Sequence, residues 1–366
     1  MSSVFDTAVN SLLDDVYRTP EPTPLPPGMI RLDRNERVEP YPHDIATQIL
    51  ERLTPQLLSQ YPDTTELYRK LAAATRLPVS NLLLAPGSDA AFRSLAHVFV
   101  QSGDRVAMLD PSYQMYPIYV RMLGGTPVPV PVGDDLNGSV DDILKTALTC
   151  KMLWLANPNQ PTGMLIPIDR LRKLAEILAD AGVIVVIDEA YYPFSAATMI
   201  DEVASRPNLV VVRTFSKAYG LAGVRLGFVA APETIAGALF KVRSSFDINA
   251  LAIVAAEWLL DHPELVRAYV NETLRSAVIL RDVAARYGLV APLSAANFQL
   301  IKVAPQFDPG EIKRACWREG YAIAGPVGAG RFADYVRVTT GSTQVITRFA
   351  RALEGVFELA LAEALR

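Results

Sequence analysis

Thr214-Phe215-Ser216-Lys217-Ala218-Tyr219-Gly220-Leu221-Ala222-Gly223-Val224-Arg225-Leu226-Gly227 is the stretch from which the fold is read. The apolar run 209–212 before it reads as a buried strand, and the run 226–230 after it reads as another. A single lysine on a glycine-rich loop between two buried strands is an unusual place for a solvated charge. Ser216 stands beside it and Arg225 follows on the same loop. An amine able to form a Schiff base, next to groups able to hold a phosphate, is the set that pyridoxal phosphate chemistry requires. Most lysines on tight turns are plain surface charges, and here the neighbours argue against that reading.

Outward from this loop, short apolar runs alternate with amphipathic helical ones. Strands are expected at 81–84, 105–109, 126–132, 152–156 and 183–187, with helices over 88–101, 140–148 and 169–181. Strand-helix alternation with all-apolar strands argues for a mostly parallel sheet covered on both faces. Beyond Pro232 the texture changes: 248–287 is mostly helical with a break at 261–263. Strands at 298–303 and 335–339 and helices at 309–319 and 343–365 follow, as in a smaller α+β domain. The proline-rich segment 20–27 cannot be helix interior and sets off an N-terminal arm. The expected division is an arm (1–40), a large cofactor-binding domain (41–245) and a small C-terminal domain (246–366) completed by the arm.

Composition narrows the function classes. The 366 residues are 50% hydrophobic and 20% charged with a net charge of −4, which offers no basic field to nucleic acid or an anionic membrane. No uninterrupted apolar run is long enough to span a bilayer, and the first residues do not resemble a signal peptide. Two distant cysteines, Cys150 and Cys316, fit a reduced cytoplasmic compartment rather than a disulfide framework. Three scattered histidines leave little for a zinc site or a Ser-His-Asp triad, so no metal is expected.

The remaining candidates stand at strand ends. Asp188 closes the run 183–187, where doubly wound sheets bind ligands; it either holds a proton on a pyridine nitrogen or caps the next helix. Tyr191 is placed to donate to the ring's phenolic oxygen. Leu84-Ala85-Pro86-Gly87-Ser88-Asp89 reads as strand, turn and helix start, a seat for phosphate, although Ser88 or Asp89 could simply be an N-cap. Tyr113, in Asp110-Pro111-Ser112-Tyr113, is placed to stack on a planar ring or is one more aromatic at a domain seam. The rigid loop Asn157-Pro158-Asn159-Gln160-Pro161-Thr162-Gly163 offers an amide to the phenolic oxygen. Arg337, inside the apolar run 335–339, needs an anionic partner, either a substrate carboxylate or phosphate or a structural carboxylate.

Taken in order, GSD, PSY, NPNxPTG, DEAY, SKxxGLAGxRxG, SAANF and VRVTTG resemble the fold-type-I, aspartate-aminotransferase-like enzymes that use pyridoxal 5'-phosphate, most nearly their histidinol-phosphate aminotransferase branch. The resemblance runs from Leu32 to Arg337. It implies an α/β fold with a mostly parallel seven-stranded sheet and a smaller α+β domain. It implies Lys217 as the Schiff-base lysine and acid/base, Asp188 at the pyridine nitrogen, Tyr191 and the amide of Gln160 at the phenolic oxygen, and Tyr113 stacked on the ring. Ser88, Asp89, Ser216 and Arg225 would hold the phosphate, joined by Tyr61 from the neighbouring subunit of a homodimer with shared sites. Arg337 would grip the substrate's acidic group, with Asn35 on the substrate side.

This chain departs from the pattern at three places. Gln160 stands where the family usually has Asn before Pro-Thr-Gly. Gly320-Tyr321-Ala322-Ile323-Ala324 ends in alanine where a second acid-binding arginine is common. The entry segment reads Asn35-Glu36-Arg37-Val38, which suggests Arg37 as the replacement cation. The expected activity is transamination between an amino compound, histidinol phosphate or a related or aromatic one, and 2-oxoglutarate. Decarboxylation of a phosphorylated amino acid is the competing expectation.

Overall fold

The computed structural model describes residues 11–14, 16, 24–134, 136 and 138–364; Pro20–Thr23 of the proline-rich segment and most of the expected N-terminal helical piece lie outside them. The strands are β1 (Ile30–Leu32), β2 (Leu82–Ala85), β3 (Arg105–Asp110), β4 (Thr126–Pro131), β5 (Met152–Ala156), β6 (Ile184–Asp188), β7 (Leu209–Thr214), β8 (Gly227–Ala230), β9 (Phe298–Lys302), β10 (Tyr321–Ile323) and β11 (Tyr335–Thr339). Seven of them form one sheet in the order β2-β8-β7-β6-β5-β3-β4, with β8 antiparallel to β2 and β7 and every other pair parallel. The fold is thus α/β, with the mostly parallel seven-stranded sheet that was expected.

The all-apolar strands are explained by burial on both faces. Side chains alternate across a strand, so Ala107, Leu109, Leu153, Leu155, Val185, Ile187, Leu209 and Val211 enter one core, with the helices Thr65–Thr75, Val140–Ala147 and Ile168–Asp180. Val106, Met108, Met152, Trp154, Val186, Val210 and Val212 enter the other, against the helices Ser88–Phe99, Met115–Arg121 and Glu233–Val242. The prolines of β4, Pro127, Pro129 and Pro131, sit on an edge strand paired only with β3, where a missing N–H breaks no ladder.

A second body is built on the antiparallel pair β9–β11 and the helices Pro263–Arg286, Pro309–Arg318 and Thr343–Ala364. The arm adds β1, parallel to β10, and Leu32 is fully buried in this second core. Neither three-residue strand is long enough to show alternation, so both were missing from the sequence expectation. The helix Ala250–Asp261, assigned from sequence to the small domain, packs Ala252, Ile253, Ala256 and Leu259 into the core of the large sheet. We therefore propose that the larger domain ends near His262–Pro263 rather than at 245.

β2, β7 and β8 meet at Gly227, where a Cβ would lie 2.7 Å from the Arg213 carbonyl oxygen and 3.0 Å from backbone atoms of Gly87 and Ser88. No flexible side chain can yield there. Gly227→Ala is expected to destabilise the fold by about 1–3 kcal/mol, read as a lower denaturant midpoint with an unchanged slope.

Candidate active site

β5 and β6 end in register, Ala156 beside Asp188, and β7 continues past Val212 to Thr214 and the lysine loop. Beyond these carboxyl ends lies a cavity of about 450 Å³, in the range of small-molecule sites. Ser88, Asp89, Tyr113, Gln160, Asp188, Tyr191, Ser216, Lys217 and Arg225 all line it, joined by Arg34 and Glu36 of the arm. Asn35, Arg37, Tyr61 and Arg337 do not.

One end of the cavity is an anion seat. Gly87, with φ +83°, turns the chain into the helix Ser88–Phe99; a Cβ there would stand 2.6 Å from Arg225 Nη2. The first N–H groups of that helix have no intrahelical acceptor and form the positive end of the helix dipole. Arg225 Nη1 donates to Ser216 Oγ at 3.2 Å and to the Ala222 carbonyl at 3.0 Å. The Asp89 carboxylate is already engaged: Oδ1 accepts from Tyr113 at 2.7 Å and Tyr119 at 3.2 Å, and Oδ2 lies 3.9 Å from Arg225 Nη2. What Asp89 offers an anion is its backbone N–H, not its side chain. The same bond holds the Tyr113 phenol over the seat, and burial beside this carboxylate pushes its pKa far up.

The other end carries a buried anion. Asp188 Oδ1 accepts from Ala190 N–H at 2.9 Å and Oδ2 from the Tyr116 hydroxyl at 2.6 Å. Burial pushes its pKa up to about 6 against the pull of these two bonds. Among the described residues no basic side chain hydrogen-bonds it, so a cationic ring nitrogen is a suitable partner. Between the two ends, Lys217 Nζ donates to the Arg34 carbonyl at 3.1 Å. Burial, then the charge of Arg337, lowers its pKa to about 8 despite the opposing pull of Glu36.

The loop 157–163 is held by its asparagines. Asn157 bonds both backbone groups of Ile166, while Asn159 bonds the Pro111 carbonyl, Thr162 and Ser112. Gln160 is left to face the cavity, and its Oε1 accepts from Tyr191 at 2.8 Å. Asn35 Nδ2 donates to the same phenol at 2.9 Å. The extra methylene of Gln160 therefore carries its amide oxygen to Tyr191, and Asn35 acts on Tyr191 from outside the cavity. Burial raises the Tyr191 pKa to about 12, so the phenol keeps its proton.

The remaining expectations fall elsewhere. The Arg37 guanidinium lies between the rings of Tyr41 (4.5 Å) and Tyr269 (4.4 Å), and its Nε donates to the Glu39 carbonyl. It cannot replace a cavity cation from there; Arg34, three residues earlier, is the arm's cavity arginine. Arg337 donates to the Asp33 carbonyl at 2.9 Å, leaves Nε buried without a partner, and lines a neighbouring hollow of about 620 Å³ together with Tyr113, Gln160 and Ala324. Tyr61 is 77% exposed, stacked on Phe246 at 4.3 Å, away from the cavity of its own chain. Sequence reasoning missed Tyr116, although its place three residues after Tyr113, in the first turn of a helix, was the available signal.

The donor set fits pyridoxal phosphate: N–H groups, a hydroxyl and a guanidinium for a dianion at one end, a buried carboxylate for a protonated ring nitrogen at the other, and an amine between. Comparison with known proteins agrees. A family model described as aminotransferase class I and II matches residues 27–353. The histidinol-phosphate aminotransferase of Thermococcus kodakarensis is 32% identical over 330 residues, 89% of this chain and 92% of the relative. The crystal structure of the Sinorhizobium meliloti histidinol-phosphate aminotransferase in complex with pyridoxal-5'-phosphate has a TM-score of 0.81 at 25% identity, covering 90% of this chain and 91% of that one. The L-threonine-O-3-phosphate decarboxylase of Porphyromonas gingivalis shares the fold with a TM-score of 0.76 at 24% identity, covering 90% of this chain and all of that one.

Lys217 makes the stability of the cofactor-free protein depend on pH. Its folded pKa near 8 lies below its usual 10.5, so between these values the unfolded chain binds more protons and stability rises with pH. In Lys217→Met, whose side chain has no proton to lose, that rise is expected to vanish from denaturation midpoints measured between pH 8 and 10.5, with a gain in stability at pH 7.

Proposed function

Because this chain belongs to the class I and II aminotransferases, enzymes that use pyridoxal phosphate, we propose that it moves an amino group between an amino compound of the histidinol-phosphate or aromatic kind and 2-oxoglutarate. The observation that carries this reading is the meeting of Lys217, Asp188 and the anion seat around Ser216 and Arg225 in one cavity. Held there, the cofactor would supply an aldehyde to the Lys217 amine and a ring able to withdraw electrons from the substrate's Cα.

The chain's own groups divide the remaining work. The N–H groups of Ser88 and Asp89, the Ser216 hydroxyl and Arg225 hold the phosphate. Asp188 keeps a proton on the ring nitrogen by presenting a buried negative charge. Tyr113 covers the ring, while the Tyr191 hydroxyl and the Gln160 amide direct hydrogen bonds at the phenolic oxygen. Lys217, whose pKa burial lowers to about 8, would take the Cα proton and deliver it to the cofactor's aldehyde carbon, across the nitrogen. Arg337, which lines the neighbouring hollow with Tyr113 and Gln160, receives the substrate's acidic group. Tyr61, exposed beside exposed Phe240 and Phe246, supports a homodimer in which it reaches the partner's phosphate seat. Cys150 and Cys316 are free and buried, which supports a reducing cytoplasmic setting.

Adding an L-amino donor to the reconstituted protein is expected to convert the pyridoxal absorbance to that of pyridoxamine, reversed by 2-oxoglutarate. Release of carbon dioxide without that conversion would instead favour a decarboxylase. Lys217→Ala should lower the rate by roughly 10²–10⁴-fold. Arg337→Ala should raise KM for an acidic donor by about 10- to 100-fold, whereas Arg37→Ala should leave KM nearly unchanged.

A further inference from the structure

Tyr116 packs directly against Asp188 and does not line the cavity. Its hydroxyl gives Oδ2 a 2.6 Å bond, and its side chain is fully buried. Three rings fix it: Phe92 at 4.6 Å, and Tyr113 at 5.5 Å and Trp154 at 5.6 Å, the last two edge-on. Phe92 and Trp154 also touch each other at 5.2 Å, so the phenol has little room to rotate away. Burial, with the Asp188 charge adding to it, pushes the phenol's own pKa well above the ordinary tyrosine value, so Tyr116 stays a donor across the working pH range.

Asp188 needs that donor. A carboxylate removed from water drifts towards its neutral form, and a neutral carboxyl no longer offers negative charge to a ring nitrogen. Ala190 N–H serves one oxygen only, and the other has Tyr116. Deleting the hydroxyl removes from Oδ2 the donor it has in the structure.

Resting on the reading that Asp188 faces the ring nitrogen, we propose that Tyr116 is a positioning residue of this site, whose hydroxyl fixes the orientation of the Asp188 carboxylate and keeps it an anion. Tyr116 acts through Asp188 and touches neither substrate nor cofactor. A residue that merely filled the core would work as well as phenylalanine.

Tyr116→Phe keeps the ring and removes only the hydroxyl. In the cofactor-free protein, the infrared carboxyl band assigned to Asp188 by its loss in Asp188→Asn is expected to persist to a pH about one unit higher in Tyr116→Phe than in the parent. In the reconstituted enzyme, kcat at neutral pH should fall about 10- to 100-fold with KM little changed, and the acid limb of the kcat profile should move up in pH with the band. If both stay at the parent's values, the proposal is overturned. Should Tyr116→Phe fail to fold, 3-fluorotyrosine placed at 116, a stronger donor of nearly the same shape, must move both in the opposite direction, and no movement again overturns it. A parent that takes up no pyridoxal phosphate sinks the functional reading and this proposal together. A working parent with an indistinguishable Tyr116→Phe sinks only the latter.

Discussion

A carboxylate taken out of water at the end of β6, its oxygens met by a phenol and a backbone N–H, is the constraint around which the site is organised. Asp188 sits there because the parallel strands β5, β6 and β7 stop in near register and present their last side chains to one crevice. Its charge is costly to bury, and the surroundings answer that cost from two sides: a phenol and a backbone N–H on its oxygens, and an open cavity in which a cationic ring can stand. The same removal from water that raises Asp188 lowers Lys217. One physical effect thus shifts an acid and a base towards each other and brings both near neutrality.

Around these two groups, the tyrosines behave as a set of fixed donors. Tyr113 and Tyr119 occupy the Asp89 carboxylate, Tyr116 occupies Asp188, and Tyr191 is held between Asn35 and Gln160. Burial keeps Tyr113, Tyr116 and Tyr191 protonated. Negative charge in the site therefore stays on carboxylates, and the hydroxyls decide where each carboxylate points. The Gln160 departure fits this pattern, since its longer side chain reaches Tyr191 while Asn157 and Asn159 tie the loop to Ile166 and Pro111.

Much of this was legible in the chain. The strands of the large sheet carry continuous apolar runs because both faces are covered, and the site residues cluster at strand ends, where local sequence is distinctive. Short strands were not legible: β1 and β10 are three residues each, and they exist because Leu32 and Ile323 share a core formed by distant helices. Arg37 misled for a related reason. Its sequence neighbourhood says that it lies on the arm near the lysine loop, and it does, close against Gly220, but a guanidinium is as well satisfied between two aromatic rings as by an anion. Tyr116 went unread because a buried tyrosine in an apolar helix looks like core until its hydroxyl is located.

The alternating prolines of β4 reach beyond the packing that tolerates them. A broad, strongly apolar parallel sheet is a hazard during synthesis, when its outermost strand can recruit a strand from another chain. On that border Pro127, Pro129 and Pro131 remove every second amide hydrogen, and the strand that completes the sheet cannot seed its further growth.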